Sequence, residues 1–267
     1  PGRFVSTRSV CLALAALVVS ASTASAQVVE IVQTFFVPIT EEQCYSAMRA
    51  ISVGSYVELA PTNVMFSAWG LVPSETNTVI FFDQWEDGYE GNITSPTQAT
   101  TEVWGDGNAG NGIPPGFAQD YVNAGDYISL TNTMSVPRDL SQIRYDGRDK
   151  LMVTKPIATT RAQYAVDPGQ VLAGAVQAPD TTRFGTEFVA PVGTNTSANN
   201  AFTYCSMSVI AAKDDTLVSF DANADGTDEM QVWLNQGETY MITNIAVGAR
   251  AKSSRPIQAH LLTGNVG

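Results

Sequence analysis

The stretch TVIFFDQWEDG (residues 78–88) returns as TLVSFDANADG (residues 216–226), 138 residues further along the chain. Both copies are rich in β-branched and aromatic residues and end on Asp-Gly, so each predicts a strand that enters a tight turn. Two more matching pairs follow in the same order. They are AGDY (124–127) with QGET (236–239), and KPI (155–157) with RPI (255–257).

The shared order of these markers indicates a tandem duplication. The offset falls from 138 to 112 and then to 100 residues, so the first copy carries additional loop between its markers. Two copies of one supersecondary unit fit this order better than two unrelated domains. Gly allows a positive φ in the turns, and Pro opens a strand where the sheet needs no N–H.

These patterns predict an all-β protein of two tandem antiparallel β-sandwich-like units, with a long loop insertion in the first. We place the first unit at residues 27–160. The second covers residues 161–267 and is expected to be truncated at its C-terminal end. Residues 41–50, after Thr40 as a cap, have the one helical pattern in the sequence. Because the chain begins at Pro1 rather than Met, we expect further domains of a longer protein to be missing.

Residues 1–26 have the features of a signal peptide. Arg3 and Arg8 precede an uncharged apolar run at residues 10–19, and Ala24-Ser25-Ala26 has the pattern of a cleavage site. A membrane span needs about 20 apolar residues, and this run is shorter. We therefore expect a secreted, extracellular or cell-surface protein whose mature segment does not insert into a membrane.

The composition is acidic, with 14 Lys and Arg against 26 Asp and Glu and a net charge of −12. Removal of the leader leaves 12 basic against 26 acidic residues, a net charge of −14. Nucleic acid binds clustered cations, so this composition excludes it as a partner.

Two cysteines, Cys44 and Cys205, remain once Cys11 leaves with the leader. Thiols oxidise outside the cell, so a disulfide between these two is one prediction. The alternative is a pair of buried free thiols, which behave as small apolar residues.

A candidate calcium site lies in the second copy of the repeat. Asp221, Asn223 and Asp225 supply oxygens at alternate positions before Gly226, and Asp228 or Glu229 could add a carboxylate. The loop lacks the terminal Glu of an EF-hand, because that position is Val232. A short Ca²⁺ clip in a β-hairpin and an acidic turn whose side chains cap backbone groups both remain open.

Aromatic residues crowd the first copy and its insertion. Trp85, Tyr89 and Trp104 form a candidate ligand-binding platform, and the alternative is that they pin the insertion onto the sandwich. Glu86 and Asp87 share one turn, which does not supply the facing carboxylates of a glycosidase. The single histidine, His260, falls on the more polar face of a strand, and no nucleophile motif points to it.

Several segments carry a family resemblance. They are FFDQWEDGYE (81–90), TTEVWGDGN (100–108), YDGRDKLMVTKPIATTRA (145–162), PGQVLAGAV (168–176), FGTEFVAPVGTNT (184–196) and LNQGETYMITN (234–244). The chain resembles, over residues 78–264, the N-terminal domain family of IgGFc-binding proteins and its microbial secreted relatives. The resemblance implies an extracellular β-rich module of large surface or mucus-associated proteins, with adhesion or glycoprotein binding and no catalytic residues.

The sequence thus predicts a secreted or cell-surface recognition or adhesion module of a larger protein, which binds extracellular glycoproteins or glycans without catalysis. One alternative is a structural subunit of an extracellular sheath, filament or surface layer. A polysaccharide-active enzyme is the less favoured one. The cofactor expectation is limited to Ca²⁺.

Overall fold

The computed structural model describes residues 29–52, 59, 64–166, 173–196 and 200–266, and the predicted signal peptide lies outside them. The described part contains one α-helix, α1 (Glu41–Ser52), and two 3₁₀ helices, Thr181–Arg183 and Asn200–Phe202. Its strands are β1 (Gln33–Phe36), β2 (Val64–Pro73), β3 (Ile80–Asp83), β4 (Thr101–Trp104), β5 (Ile128–Ser135), β6 (Lys150–Val153), β7 (Ile157–Ala165), β8 (Ala173–Val176), β9 (Gly185–Val189), β10 (Tyr204–Ala211), β11 (Thr216–Asp221), β12 (Met230–Leu234), β13 (Thr239–Thr243) and β14 (Arg250–Gly264).

The first unit is built from two four-stranded antiparallel sheets, with strand orders β1-β6-β3-β4 and β5-β2-β7-β8. Successive strand residues point to opposite faces, and every second residue of β5 from Ile128 to Met134 is buried. The inward faces of the two sheets share one apolar core, which includes Phe35, Trp69, Leu71, Ile80, Phe82, Leu130 and Leu151. The predicted all-β, sandwich-like fold is confirmed.

The second unit repeats these connections within one six-stranded sheet of order β12-β11-β14-β10-β13, in which β9 also pairs with β14. The 15-residue β14 shifts its register between Lys252 and Ile257. Its first half pairs with β9 and β11, and its second half pairs with β10. In the first unit the corresponding halves are the separate strands β6 and β7.

Matching hydrogen bonds lie at equivalent positions in the two units. The N–H of Gly125 donates to Pro73 O and that of Gly237 to Ala211 O, each over 2.8 Å. The hydroxyl of Thr78 donates to Glu75 O and that of Thr216 to Lys213 O, each over 2.6 Å. The positions are related by the offsets of the sequence repeat, so its markers are the turns and strand starts of two equivalent units.

The predicted boundary between residues 160 and 161 falls inside β7 and is corrected by the sheet pairing. β7 pairs with β2 as far as Ala165 opposite Met65, and β8 extends the same sheet. The first unit therefore continues to Val176, and the strands of the second begin at Gly185. The KPI marker lies at the start of a strand, so it could not indicate where that strand ends.

Helix α1 confirms the predicted helical segment and extends it to Ser52. The Thr40 hydroxyl accepts a hydrogen bond from Gln43 N–H over 3.4 Å, as an N-cap does. The helix contacts β2 and β7 of the first unit and β10 of the second, so it lies between the two. Within the described residues no helix has both the length and the apolar character needed to cross a membrane.

Candidate functional site

A cleft of about 530 Å³ lies where the two units meet. Its walls are the start of α1, the turn that carries Trp85, the loop between β5 and β6, and the turn between β12 and β13. Gln43 joins the units beside it, because its amide nitrogen donates to Thr239 Oγ1 over 3.0 Å and its amide oxygen accepts from Ser208 Oγ over 2.7 Å. The cleft therefore depends on both copies.

Trp85, a residue of the predicted platform, lines this cleft, but two arginine side chains already pack against its ring. The Cζ atoms of Arg138 and Arg148 lie 4.7 and 4.2 Å from the ring centroid. The indole Nε1 donates to Asp146 Oδ1 over 3.1 Å. The ring thus positions two guanidinium groups through cation–π contacts instead of offering a bare face to a ligand.

Arg148 is a cation with few partners at the cleft. Its side chain is 26% exposed, and its nearest carboxylate oxygen, Glu238 Oε1 of the second unit, is 3.8 Å away. Its buried Nε has no hydrogen-bond partner within the described ranges. Its φ of 85° is rare for a residue with a side chain, and Tyr89 Oη holds this backbone by donating to Arg148 O over 2.6 Å. The guanidinium is therefore held in place and still able to bind.

A buried cluster of charged side chains adjoins the cleft, and two of its members, Glu41 and Arg138, line the cleft wall. Arg138 forms ion pairs with Glu86 and Asp146. Arg161 forms an ion pair with Glu41. A fourth acid, Asp149, is completely buried beside them. The members are the acids Glu41, Glu86, Asp146 and Asp149 and the bases Arg138 and Arg161, so acidic groups are in excess.

The excess of acid changes the titration of the cluster. Burial, followed by the nearby Glu41 carboxylate, raises the pKa of Asp146 to about 8. Burial and the neighbouring Asp146 raise the pKa of Asp149 well above its ordinary value. Asp149 Oδ2 accepts from Asp146 N–H over 3.0 Å, whereas its Oδ1 has no partner in the described part of the chain. Protonation of these carboxyls relieves the excess negative charge.

Tyr89, the second predicted platform residue, has a largely structural environment. Its ring packs edge-on against Phe36 at 6.0 Å between centroids, and Lys150 Nζ lies 4.4 Å from its centroid. Burial raises the pKa of its hydroxyl, which therefore stays protonated and donates to Arg148. Tyr89 also meets the backbone of Gly237 in the second unit. Tyr89 therefore holds the backbone of Arg148 in the cleft wall and does not itself line the cleft.

The prediction that Trp104, the third platform residue, takes part in ligand binding is wrong. Its side chain is 0% exposed and stacks on Phe82 with 5.2 Å between centroids. Its Nε1 donates to Glu102 Oε2 over 2.9 Å. The insertion packs Val122 into the same core. Trp104 is thus a core residue that a ligand does not reach, and it anchors the insertion.

The predicted calcium loop brings together Asp221, Asp225 and Glu229, whose carboxylate oxygens lie within 4.8 Å of one another. Asn223 adjoins them and donates through its amide to Asp225 Oδ2 over 3.1 Å, whereas Asp228 is outside this group. Asp221 already accepts N–H donors from Asp225 and Gly226, over 3.1 and 3.0 Å. The geometry fits the acidic-turn alternative and keeps three carboxylates close enough for one cation.

The predicted disulfide between Cys44 and Cys205 is wrong for this structure, in which both are buried free thiols. Cys44 lies on α1 in an apolar cluster with Tyr45 and Met48, whereas Cys205 belongs to the core of the second unit. Cys205 Sγ donates to Phe202 O over 3.4 Å. Burial raises the pKa of Cys44 to about 12, so that thiol stays protonated.

His260 is half-buried on β14 and not exposed. Burial, and next the charge of Arg161, lower its pKa to about 4, so the ring is neutral at physiological pH. Its Nε2 contacts the amide of Gln258. His260 is therefore part of the packing of the second unit.

Sequence reasoning missed Arg138, Arg148, Asp146 and Asp149 as residues of the site. Three of them fall in the run DGRDK (residues 146–150), and this density of charge directly before an apolar strand was the available signal. No family model, no curated protein and no solved structure matches the chain. The resemblance to IgGFc-binding proteins therefore stays an expectation that rests on sequence motifs.

Proposed function

We propose that this chain is a secreted or cell-surface recognition module of a larger protein, which binds glycoprotein or glycan partners without catalysing a reaction. The observation that carries the proposal is the cleft between the two units with Arg148 at its wall. The leader pattern and the acidic composition support an extracellular location.

The lining of the cleft suits polar recognition. A binding site combines apolar surface with a few placed polar groups. Leu140 and Leu234 line the cleft with apolar surface, and Thr239 and Glu42 line it with a hydroxyl and a carboxylate, which are groups of the kind that hydrogen-bond sugars and peptides. Arg148 adds donors that Trp85 holds in position. A partner that reaches Arg148 displaces only the 3.8 Å contact with Glu238.

The partners of the acidic side chains favour binding over catalysis. Glycan hydrolysis needs two carboxylates that face each other across the substrate, one of them able to give up a proton. Glu86 and Asp146 are held by Arg138. Glu41 is held by Arg161 and accepts Gly147 N–H over 3.2 Å. Each of these acids already has a structural partner, and in Glu41, which also lines the cleft, both carboxylate oxygens are engaged.

Surface plasmon resonance on a printed glycan panel and on immobilised mucin tests the proposal. We expect Arg148→Ala to weaken binding about tenfold, because it removes one charge-assisted contact. Arg183→Ala, at an exposed arginine that does not line the cleft, should bind as the wild type does.

Absence of binding by the wild type, or equal losses in the two variants, would contradict the proposal. Release of sugar from the panel that disappears in Glu86→Gln would establish the enzyme alternative instead. Equal amounts of folded protein are checked by circular dichroism before each comparison.

A further inference from the structure

The outward face of the second unit's β9-β14-β11-β12 strands carries an ordered row of polar side chains. Directly paired residues of antiparallel strands lie on the same face. Ser219 pairs with Gln231 and with Lys252, and Lys252 pairs with Glu187. We call this row, together with the adjacent Trp233, the open face.

Trp233 is the most prominent member of the open face. It is 66% exposed and lies opposite Leu217 on β11. Leu217 N–H donates to Ser254 Oγ over 2.9 Å, which fixes the neighbouring position of β14. Gln231, Lys252 and Glu187 are exposed as well. A large aromatic side chain that gains nothing from the core is therefore aligned with a row of hydrogen-bonding groups.

The first copy of the repeat supplies an internal comparison. There the corresponding row is Val103, Phe81 and Met152, paired in the same way across β4, β3 and β6. Val103 and Phe81 are buried in an apolar cluster with Ile93 of the insertion. One copy thus has an apolar face that its own loop covers, and the other has a polar face with an exposed tryptophan.

We propose that the open face binds an extended neutral polysaccharide, with Trp233 stacking on one sugar ring and the polar row bonding the hydroxyls of its neighbours. This site is distinct from the cleft. Aromatic faces pack well against the C–H surface of sugars, while amide, hydroxyl and charged groups bond their hydroxyls. The row crosses four strands, roughly 14 Å at the usual strand spacing, which accommodates several linked sugars.

Charge and shape decide the class of ligand. Lys252 is paired in register with Glu187 and Arg250 with Asp221, and Arg250 Nη1 lies 3.5 Å from Glu187 Oε1, so two bases and two acids balance on this face. The mature chain has a net charge of −14 and repels acidic polysaccharides at long range. Homodimer interfaces are more apolar than the average surface, whereas the exposed apolar side chains of this face are Trp233 and Val189, with polar groups between them.

Native gel electrophoresis of the full chain in gels containing one polysaccharide tests this inference. The probes are hydroxyethylcellulose, galactomannan and xylan as neutral polymers, with alginate as the acidic one. We expect at least one neutral polymer to retard the chain and alginate not to do so. Trp233→Ala should weaken the retardation roughly tenfold, and Lys252→Ala should weaken it less.

Tyr121→Ala is the matched control, because Tyr121 is an aromatic residue with 58% exposure in the first unit. It should migrate as the wild type does in every gel. Arg148→Ala should also leave the retardation unchanged, so failure of the cleft and failure of the open face are separate results.

Three outcomes would overturn the inference. In the gels, these are retardation of the wild type by none of the neutral polymers, and retardation that persists in Trp233→Ala. In sedimentation, it is a coefficient that rises with protein concentration for the wild type and stays constant for Trp233→Ala. The last would assign the face to a second copy of the chain.

Discussion

Lys150 Nζ lies 2.7 Å from Asp83 Oδ2, and both side chains are buried in the first unit. The two residues stand opposite each other in the register of β3 and β6. Asp221 and Arg250 occupy the same register position in the second unit, but there the arginine side chain is 49% exposed. Both copies thus have an acid opposite a base, and only the first copy buries both.

Lys150→Met should strongly destabilise the chain, because it leaves the Asp83 carboxylate buried without its cation. We expect the free energy of unfolding in urea to fall by about 3–5 kcal/mol. Arg250→Met, the matched change in the second unit, should cost less than about 1 kcal/mol because that arginine is solvent-exposed. Equal losses of unfolding free energy in the two variants would show that burial of the Lys150–Asp83 pair does not affect stability.

Gly237→Ala should disrupt the contact between the units. A Cβ at this position would lie 1.7 Å from Tyr89 Oη. Gly125 holds the equivalent turn with a similar φ, +81° against +73°, and a Cβ there meets nothing within 4 Å. An alanine at a positive φ is strained by about 1 kcal/mol, and both variants have this strain. In urea unfolding, Gly237→Ala should lower the free energy of unfolding clearly more than Gly125→Ala does. Matching losses would contradict the role of Tyr89 in joining the units.

The buried carboxyls predict an unusual dependence of stability on pH. The folded pKa of Asp146 is about 8 and that of Asp149 is also raised, against about 3.9 in the unfolded chain. The folded state then binds more protons, so the free energy of unfolding should fall as pH rises from about 6.5 to 8. His260 opposes this trend between its folded pKa of about 4 and its unfolded value of about 6.5, so its opposing contribution fades as pH rises from the lower end of this range.

Asp149→Asn should flatten this slope and raise stability at pH 8, since an amide resembles the protonated acid. Asp228→Asn removes an exposed carboxylate and should keep the wild-type slope. Urea unfolding at pH 6.5, 7.2 and 8 measures the effect. A wild-type stability that stays level or increases over this range would refute the prediction.

Calcium should raise the melting temperature if the three carboxylates of the aspartate loop share a cation. Asp221, Asp225 and Glu229 repel one another when unliganded, and a ligand of the folded state stabilises it by mass action. Millimolar Ca²⁺ should therefore raise the melting temperature, with EDTA reversing the change. Asp225→Asn should remove the response, whereas Asp87→Asn at the corresponding place in the first copy should retain it. Identical melting in Ca²⁺ and EDTA would exclude the site.

The thiols give a direct chemical test. Cys44 and Cys205 are buried and free, and burial raises the pKa of both. In a chain that lacks residues 1–26, and with them Cys11, we expect neither to react with iodoacetamide under native conditions, and both to react in urea without reductant. Mass spectrometry counts the added groups. An unchanged mass in urea would reveal the disulfide that the structure does not contain.

The repeat could be read from sequence because its signals are local. A strand that ends in Asp-Gly and a turn built on Gly recur at fixed positions whatever packs around them, as Gly125 and Gly237 illustrate.

The sequence did not distinguish Trp85 from Trp104. One ring lines a cleft and the other is in the core, and this difference depends on which distant residues cover each ring.

The sequence by itself determined the β architecture, the matching strand and turn markers of its two units, the helix after Thr40 and the places where the chain turns, because periodicity and turn chemistry act over a few residues. Only the tertiary structure decided that DGRDK is part of a buried charge cluster, that the cysteines stay apart, and that one copy covers its outer sheet face while the other exposes Trp233. These properties arise from contacts between residues far apart in the chain, where burial changes the energy of a charge or an aromatic ring.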